Sequence, residues 1–494
     1  PAPFSPTPRC PPTKETTFAH AHDRQRQGQE SRIVLTILLL ERREAGMAPH
    51  SDVSREAPLP TEHRTQLPGK DSWWAMRDYP PPDPSMVDLC PRLWQAWIAL
   101  LLAGSVLLLE HDIWIYAGFA SATFLATVFI PDSGDSGSPY FMHLSIPFFI
   151  VKGVQEGGAW TWIGFYWAFV FLPFADVVVG VDTFNKRDEE YKMRAAMKVF
   201  RLASWVFLPA DLALLAYACH AVNAIPLTPL EFFGFVVSVA VYTGGLGVTL
   251  SHELVHKTNR LEQWLEGRVI CVAMSYGHFY VEHNRGHHKA VGTEDDPATA
   301  RFGESFYAFL PRCVRGSFVS AWKLEIDRLR DRNLPFYHNE MLWYWTASAS
   351  LCALLTFAFG PKTVPLFLGQ SFVGILYFES VNYVEHYGLE RKTNEQGKSE
   401  PVGLEHSWDA PHRLTNMVLF KLQRHGDHHV NSTRRYQTLR AEPSRSPQQL
   451  PMGYPGCILL ALCPPAWRAV MDKRVLRLRS KNHPGRVWRH GPPS

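Results

Sequence analysis

The sequence predicts an all-α, polytopic membrane protein, because its apolar residues gather into long runs that few charges interrupt. Hydrophobic residues make up 46 % of the 494 residues, an ordinary fraction, but they are unevenly distributed. A helix needs about 17–25 apolar residues to cross a bilayer, and most of the runs reach that length. Seven such runs are hard to explain as core helices of a soluble protein. They cover residues 93–109, 113–130, 160–180, 204–225, 232–250, 341–360 and 364–381.

The two ends of the chain have a different composition. Residues 1–92 are rich in Pro, Arg, Ser and Thr and lack a sustained apolar period, so we expect them to be disordered. The first methionine is Met47, and we expect translation to start there, which would leave residues 1–46 untranslated. Residues 93–130 are predicted to form an additional transmembrane hairpin, and residues 481–494 a disordered tail.

The charges of the connecting loops predict the orientation in the membrane. Residues 181–202 carry six lysines and arginines, whereas residues 226–231 carry none. By the positive-inside rule, the first loop lies in the cytoplasm and the second outside. The run 232–250 therefore ends on the cytoplasmic face. A weaker run, 140–154, is interrupted by a proline and a lysine, and the sequence leaves open whether it spans.

Histidines cluster in the second half of the chain. Thirteen of the 22 lie between His252 and His429, and nine of these fall in four motifs, HELVHK, EHNRGHH, NYVEHYGL and LQRHGDHH. Loop parity predicts that all four motifs reach the same membrane face. Spacings of four residues place two imidazoles on one helical face. The nine are His252, His256, His283, His287, His288, His386, His425, His428 and His429.

The number of histidines favours two metal ions over one. A catalytic zinc ion uses three protein ligands, so nine histidines suit two metals that take four or five each. The spacing predicts that 252/256, 283/287 and 425/429 are paired, with His288 and His428 placed to reach a second metal. Imidazole binds Zn, Cu, Fe or Ni, and the clusters lack the cysteines of Cu(I) or iron–sulfur sites. A pair of redox metals beside an apolar bundle fits O₂ activation against an apolar substrate.

The carboxylates within the motifs are expected to accept hydrogen bonds from the imidazoles and to fix their tautomers. The sequence also leaves open that one or two of them bind metal directly. They are Glu253, Glu282, Glu385 and Asp427.

Two other interpretations of the histidine pattern are a zinc metalloprotease and a metal transporter. HELVH alone is typical of a zinc metalloprotease with Glu253 as the base, but a protease needs few other histidines. A metal transporter would place its ionisable residues in mid-helix, whereas these lie at helix ends. A net charge of +4 without a single basic face gives no indication of a nucleic-acid partner.

The four motifs resemble those of the membrane-bound alkane monooxygenases, within the wider membrane fatty-acid desaturase and hydroxylase superfamily. The resemblance covers roughly residues 140–480, which we expect to form the catalytic domain. NYVEHYGL separates this family from ordinary acyl desaturases, which show only three histidine boxes. Further similar segments lie at residues 175–185, 294–309, 434–440 and 454–475.

The resemblance implies six transmembrane helices capped by a cytoplasmic di-iron domain. It implies two non-haem iron ions bound by the nine histidines and no catalytic residue beyond these ligands. His278 and His412 match family positions, and we interpret them as supporting residues. The activity implied is terminal hydroxylation of medium or long alkanes by O₂ and two electrons from rubredoxin and its reductase. A fatty-acyl desaturase, an ω-hydroxylase and an arene side-chain monooxygenase remain alternatives that share the metals.

The sequence departs from the family near the last cluster, where Gly426 replaces the usual serine and residues 407–416 differ. No nucleotide-binding or C-x-x-C motif occurs, so the electrons must come from a separate protein. Basic residues near the clusters are candidates for docking an acidic carrier, or else for loop charge and lipid headgroup contacts. They are Arg285, Lys289, Arg424, Arg434 and Arg435.

Overall fold

Helices account for the regular structure in the computed structural model, which describes residues 137–259, 261–442 and 448–482. The predicted disordered region 1–92 and hairpin 93–130 lie outside the described residues. The last described helix extends to Asn482, two residues into the predicted tail, and the rest of that tail is not described.

The described part of the chain forms fourteen helices, some of which contain π or 3₁₀ turns. It has three isolated β-bridges and no β-strand. The helices are α1 (Ser145–Glu156), α2 (Gly158–Val179), α3 (Asp188–Ala196), α4 (Lys198–Ala224), α5 (Pro229–Val255), α6 (261–273), α7 (278–290), α8 (Phe306–Asp331), α9 (Glu340–Phe359), α10 (Thr363–His386), α11 (Arg413–Val418), α12 (His425–Val430), α13 (Tyr454–Ala461) and α14 (Pro464–Asn482). Short 3₁₀ turns lie at Ser138–Leu144, Phe336–His338, Leu404–His406 and Tyr436–Thr438.

Five of these helices are long and apolar enough to cross a membrane, namely α2, α4, α5, α9 and α10, with 20 to 27 residues each. At 1.5 Å per residue such helices span about 30 Å or more, the thickness of the hydrocarbon core. The five runs predicted from residue 160 onward are confirmed, and the protein is an integral membrane protein. The weaker run 140–154 forms the 12-residue helix α1, which is not among the five.

Helix α5 lies at the centre of the bundle, since 89 % of an apolar 18-residue stretch of this helix is buried inside the protein. Its start is fixed by a capping box, in which Thr228 and Glu231 exchange side-chain and backbone hydrogen bonds around Pro229. The Glu231 carboxylate also accepts a hydrogen bond from the Gly158 backbone over 2.6 Å. The same residues that start α5 therefore fix the start of α2.

Helices α5 and α10 approach closely at two glycines. A Cβ atom added to Gly244 would lie 2.2 Å from the Cα atom of Gly374, a distance that real atoms do not tolerate. Small residues at such crossings let helix backbones pack against each other in a bilayer. Because both helices end at histidine motifs, this crossing sets the separation of those ends.

Two aspartates connect the end of α2 to the segment that carries the last histidine motif. Asp176 accepts hydrogen bonds from the Thr415 backbone N–H over 3.0 Å and from its hydroxyl over 2.7 Å. Asp182 pairs with Arg424, whose guanidinium also donates to the Leu439 carbonyl. The end of α2 belongs to the segment 175–185, which was noted above as similar to the alkane monooxygenases. Its contacts thereby position α12.

A cluster of aromatic rings packs α14 against the end of α10. Trp467 contacts Tyr383 and Tyr387 at ring-centroid distances of 5.3 and 5.4 Å. The Tyr387 hydroxyl donates to Asp472 over 2.6 Å, and the Trp408 indole donates to the Tyr387 carbonyl over 2.9 Å. The position of the last turn of α10, with His386, is therefore held from the C-terminal side.

We predict that Gly244→Ala destabilises the protein by about 1–3 kcal/mol, because the added methyl group overpacks the α5–α10 crossing. Gly245→Ala is the matched control, since a Cβ at the next residue of the same π turn meets nothing within 4 Å. The unfolding midpoint in detergent, followed by tryptophan fluorescence, should fall by several degrees for the first variant alone. Equal midpoints for the two variants would contradict the crossing.

Candidate metal centre

The nine histidines of the four motifs converge into two adjacent groups at one end of the bundle. In each group, one ring nitrogen per histidine lies within 4.8 Å of all the others, a spacing at which the group is able to hold a metal ion. The groups are close neighbours, since the rings of His288 and His429 lie 4.5 Å apart. The larger group contains His252, His256, His283, His288 and His428, and the smaller contains His287, His386, His425 and His429.

The larger group is built where α5 meets α7. His252 and His256 lie one turn apart at the end of α5, as their spacing predicted. His283, however, shares its group with His288 and not with His287. Residues His283–His287 form a π-helical turn, whose wider spacing brings the ring of His288, five residues on, to 4.6 Å from that of His283, while the His283 and His287 rings stack at 5.3 Å. The predicted 283/287 pair is therefore divided between the two groups.

The smaller group joins α7, α10 and α12. His425 and His429 lie on one face of α12, with their Nε2 atoms 2.9 Å apart. The Nε2 atom of His386, the last residue of α10, lies 3.2 Å from that of His425. All four members are buried, whereas His256 and His288 of the larger group are partly exposed.

The donor set fits metal ions better than a hydrogen-bonded network. Nε2 atoms face one another at 3.0 Å between His283 and His256 and at 3.1 Å between His288 and His283. Ligand nitrogens bound about 2.0–2.1 Å from one ion lie about 3 Å apart, as these do. Further Nε2 atoms, of His252 and His287, are buried and have no hydrogen-bond partner among the described residues. Buried polar atoms without partners are costly, and a cation among them removes the cost.

Asp296 holds His287 in place, a role that the sequence analysis did not assign. Its carboxylate lies 2.9 Å from Nδ1 of His287 and accepts further hydrogen bonds from Thr299 and from the Ala298 backbone. Burial lowers the pKa of His287, but the Asp296 carboxylate outweighs it and raises the pKa to about 9. The Asp296 contact places one proton on Nδ1 and turns Nε2 toward the group, where a bound metal ion would displace the second proton. The only sequence signal was the position of DDPAT just after the EHNRGHH motif.

Two other contacts orient the smaller group. The His386 Nδ1 atom lies 3.1 Å from the His406 carbonyl oxygen, so it is the protonated nitrogen and Nε2 is the free one. Glu385 lies with one carboxylate oxygen 3.2 Å from Nε2 of His425, and its carboxylate also accepts a hydrogen bond from the Tyr454 hydroxyl. Of the four motif carboxylates, Glu385 is therefore the one that contacts a histidine of the two groups, among the residues that the structure describes.

Two of the three remaining motif carboxylates have charged partners. Glu253 pairs with Lys257 over 2.9 Å and accepts a hydrogen bond from the Tyr436 backbone. Asp427 pairs with Arg434 over 2.7 Å and accepts a hydrogen bond from the Arg440 backbone. These two carboxylates brace the loop after the last motif.

Glu282 has neither an ion pair nor a strong hydrogen bond in the described chain. Its nearest donor is the Ser320 hydroxyl at 3.5 Å. Burial, followed by the charge of Asp296, raises the pKa of Glu282 to about 8.

His278 and His412, the two histidines expected to support the site, lie outside both groups. His278 is buried against the Tyr276 ring at 4.3 Å, and burial lowers its pKa to about 4. His412 forms an isolated β-bridge with Val181 and so contributes to the attachment of α2.

Most of the basic residues considered for docking a carrier are ion-paired within the chain. Arg285 pairs with Glu325 and Arg435 with Glu262, in addition to the Arg424 and Arg434 pairs given above. Lys289, which follows His288, is exposed and has no ion pair in the described residues.

An apolar cavity between α2, α5, α10 and α13 ends at the histidines. Most of its wall is aliphatic and aromatic. Its polar end is formed by Thr249 and His252 of α5 and by Asn382 and Glu385 of α10. An apolar ligand that enters end-on would therefore place its tip beside both histidine groups.

The fold and the site together define a helical integral membrane protein with a buried histidine metal centre. Residues 226–460 match the family described as fatty acid desaturase. The chain is 42 % identical over 330 residues to alkane 1-monooxygenase 2 of Pseudomonas aeruginosa, which covers 65 % of this chain and 86 % of that protein. It is 39 % identical over 336 residues to alkane 1-monooxygenase 2 of Alcanivorax borkumensis. That match covers 67 % of this chain and 87 % of the other protein.

A more distant relative is the xylene/toluene monooxygenase hydroxylase component XylM of Pseudomonas putida, 27 % identical over 334 residues, with 66 % of this chain and 85 % of that protein covered. Identity is thus higher to the alkane 1-monooxygenases. The chain belongs to the alkane 1-monooxygenase family.

We predict that Asp296→Asn lowers metal affinity about 10–100-fold, because an amide no longer holds the His287 imidazole in one tautomer by charge. The matched control is Asp295→Asn, since Asp295 is exposed at the preceding position. Metal retained by the purified variants during titration with a chelator, measured by plasma emission, gives the affinities. Equal retention by both variants would show that the Asp296 contact does not support the site.

Proposed function

We propose that this protein is a non-haem di-iron monooxygenase that hydroxylates the terminal methyl group of medium or long-chain alkanes. The proposal rests on one observation, that an apolar cavity ends beside the two histidine groups. The relatives named alkane 1-monooxygenase support the same reaction. The reaction consumes O₂, two electrons and two protons and yields a 1-alkanol and water.

The nine histidines are proposed as the metal ligands, five for one ion and four for the other. Nine imidazole ligands without a cysteine suit iron, which when bound here would supply O₂ activation and oxidising power. Membership of the family favours iron over zinc. A zinc protease needs only part of the larger group and gives no role to the smaller one.

The chain's own contribution is to orient the substrate and to exclude water. The apolar side chains that line the cavity include Leu246 and Val248 on α5 and Tyr377 and Phe378 on α10. An unbranched hydrocarbon chain that displaces water from this wall leaves no polar group of the wall without a hydrogen bond. His252 lines the cavity end and belongs to the larger group, so the methyl group reaches the metals there first. Positioning of this kind accounts for a large share of rate acceleration in general.

A separate one-electron carrier of the rubredoxin type, with its reductase, is proposed to supply the electrons. Only His256 and His288 among the nine are partly exposed, so the larger group is the side from which electrons enter. Lys289 offers an unpaired positive charge at that edge for an acidic carrier.

The membrane arrangement is proposed as a six-helix bundle with its histidine end in the cytoplasm and lipid around its apolar face. Helices α2, α4, α5, α9 and α10 supply five spans. The basic loop at residues 181–202 supports the orientation. Residues 140–480 are proposed as the catalytic domain.

We predict about two iron ions per chain in the purified protein, and less iron with no activity in His386→Ala. His386 is the only ligand that α10 contributes, so no neighbour replaces it. His338→Ala is the control, because His338 is exposed and outside both groups. Plasma emission measures the metals. One zinc and no iron in the wild type, or full turnover in His386→Ala, would refute the ligand assignment.

We predict that membranes containing the protein convert an n-alkane into the 1-alkanol when O₂ and a reduced rubredoxin system are supplied. The membranes are incubated separately with n-alkanes, a fatty-acyl substrate and an alkyl-arene, and the products are identified by gas chromatography. The products distinguish alkane hydroxylation from the activities of a desaturase, an ω-hydroxylase and an arene side-chain monooxygenase. A double bond in the acyl chain would identify a desaturase, and an ω-hydroxy acid an ω-hydroxylase. A benzylic alcohol without any alkanol would identify an arene side-chain monooxygenase.

A further inference from the structure

Glu379 is a buried carboxyl group that belongs to neither histidine group. It lies on α10 and is 1 % exposed. It accepts hydrogen bonds from the Tyr276 hydroxyl, from the Cys313 thiol over 2.8 Å and from the Asn382 side-chain amide over 3.1 Å. No lysine or arginine pairs with it in the described chain. A carboxyl group with neutral donors alone is able to hold either a proton or a negative charge.

Two other buried glutamates show what a purely structural carboxylate looks like in this protein. Glu262 pairs with Arg201 and Arg435, over 3.0 and 2.9 Å. Glu325 pairs with Arg285 and with Arg328. Both are therefore fixed as anions by two guanidinium groups. Glu379 has no such fixed charge state.

A small cavity joins Glu379 to both histidine groups. Its volume of about 10 Å³ is at the lower limit for one water molecule, and its polar lining offers such a molecule several partners. His283 on the cavity wall belongs to the larger group and His287 to the smaller. The polar side chains that line this cavity are those of Tyr276, His278, Glu282, His283, His287, Ser317, Glu379 and Asn382.

We propose that Glu379 transfers protons to the metal centre through a water molecule in this cavity. The inference rests on the proposed function, in which a C–H bond breaks, a C–O bond forms and the second oxygen atom leaves as water. The two electrons come from the carrier protein, and the two protons come from solvent. Glu379 holds each proton on a carboxyl oxygen and passes it toward the space between His283 and His287.

The test compares Glu379→Gln with the wild type. Glutamine keeps the size and the acceptor for Tyr276, and the Asn382 amide can turn to accept from the new NH₂ group, but glutamine does not carry a proton. Turnover to alkanol should fall about 100-fold or more, as for loss of a proton-transfer group. Iron content and the KM for alkane should stay within about twofold. The share of carrier electrons recovered as hydrogen peroxide should rise. Alkanol, peroxide and oxidised carrier are measured in one assay.

Two further variants keep the test decisive. Glu379→Asp restores a carboxyl group and should recover at least about a tenth of the turnover. Ser380→Ala changes the next residue, a buried hydroxyl that donates to the Tyr377 carbonyl, and should match the wild type. Glu379→Gln with unchanged turnover and coupling, or with lost iron, would overturn the proposal. A wild type that yields no alkanol would instead refute the proposed function.

Discussion

Nine imidazole rings lie against one another at the buried end of the helix bundle, and the rest of the structure depends on holding them there. Facing nitrogens such as those of His283 and His288 are unfavourable when neutral, because no proton is available for every contact. Their positions are therefore imposed by the elements that carry them. The α5–α10 glycine crossing, the aspartates at the end of α2 and the aromatic cluster around Trp467 supply that constraint from three directions. A cation bound among the imidazoles would remove this cost.

The π-helical turns are the local device that makes this convergence possible. In α7, the π turn sends His283 and His287 to different groups, so that one short helix contributes to both. In α5, the π turn Val241–Leu246 contains Gly244, where α10 crosses. Such turns weaken the hydrogen-bond ladder of a helix and are frequent at functional sites. Here each one rotates the following residues to a face that a regular α-helix would not present.

Polarity changes sharply around the centre, and each environment has its own task. The cavity that ends at His252 is apolar along most of its wall and suits a hydrocarbon chain. The small cavity at Glu379 is polar and suits a water molecule. The partly exposed edge at His256 and His288 suits a protein partner. The approaches proposed for substrate, protons and electrons are separated by this division.

The sequence by itself determined the helical class, the five apolar helices from residue 160 onward and the set of histidines, because hydrophobic length and motif composition are local properties. Tertiary structure decided which histidines share a group, since the His287 ring stacks on that of His283 while its ring nitrogen lies with those of the smaller group. It also decided that Asp296 contacts His287 while Glu253 pairs with Lys257. Those choices depend on how distant elements pack and on where each helix ends. No spacing along the chain records that information.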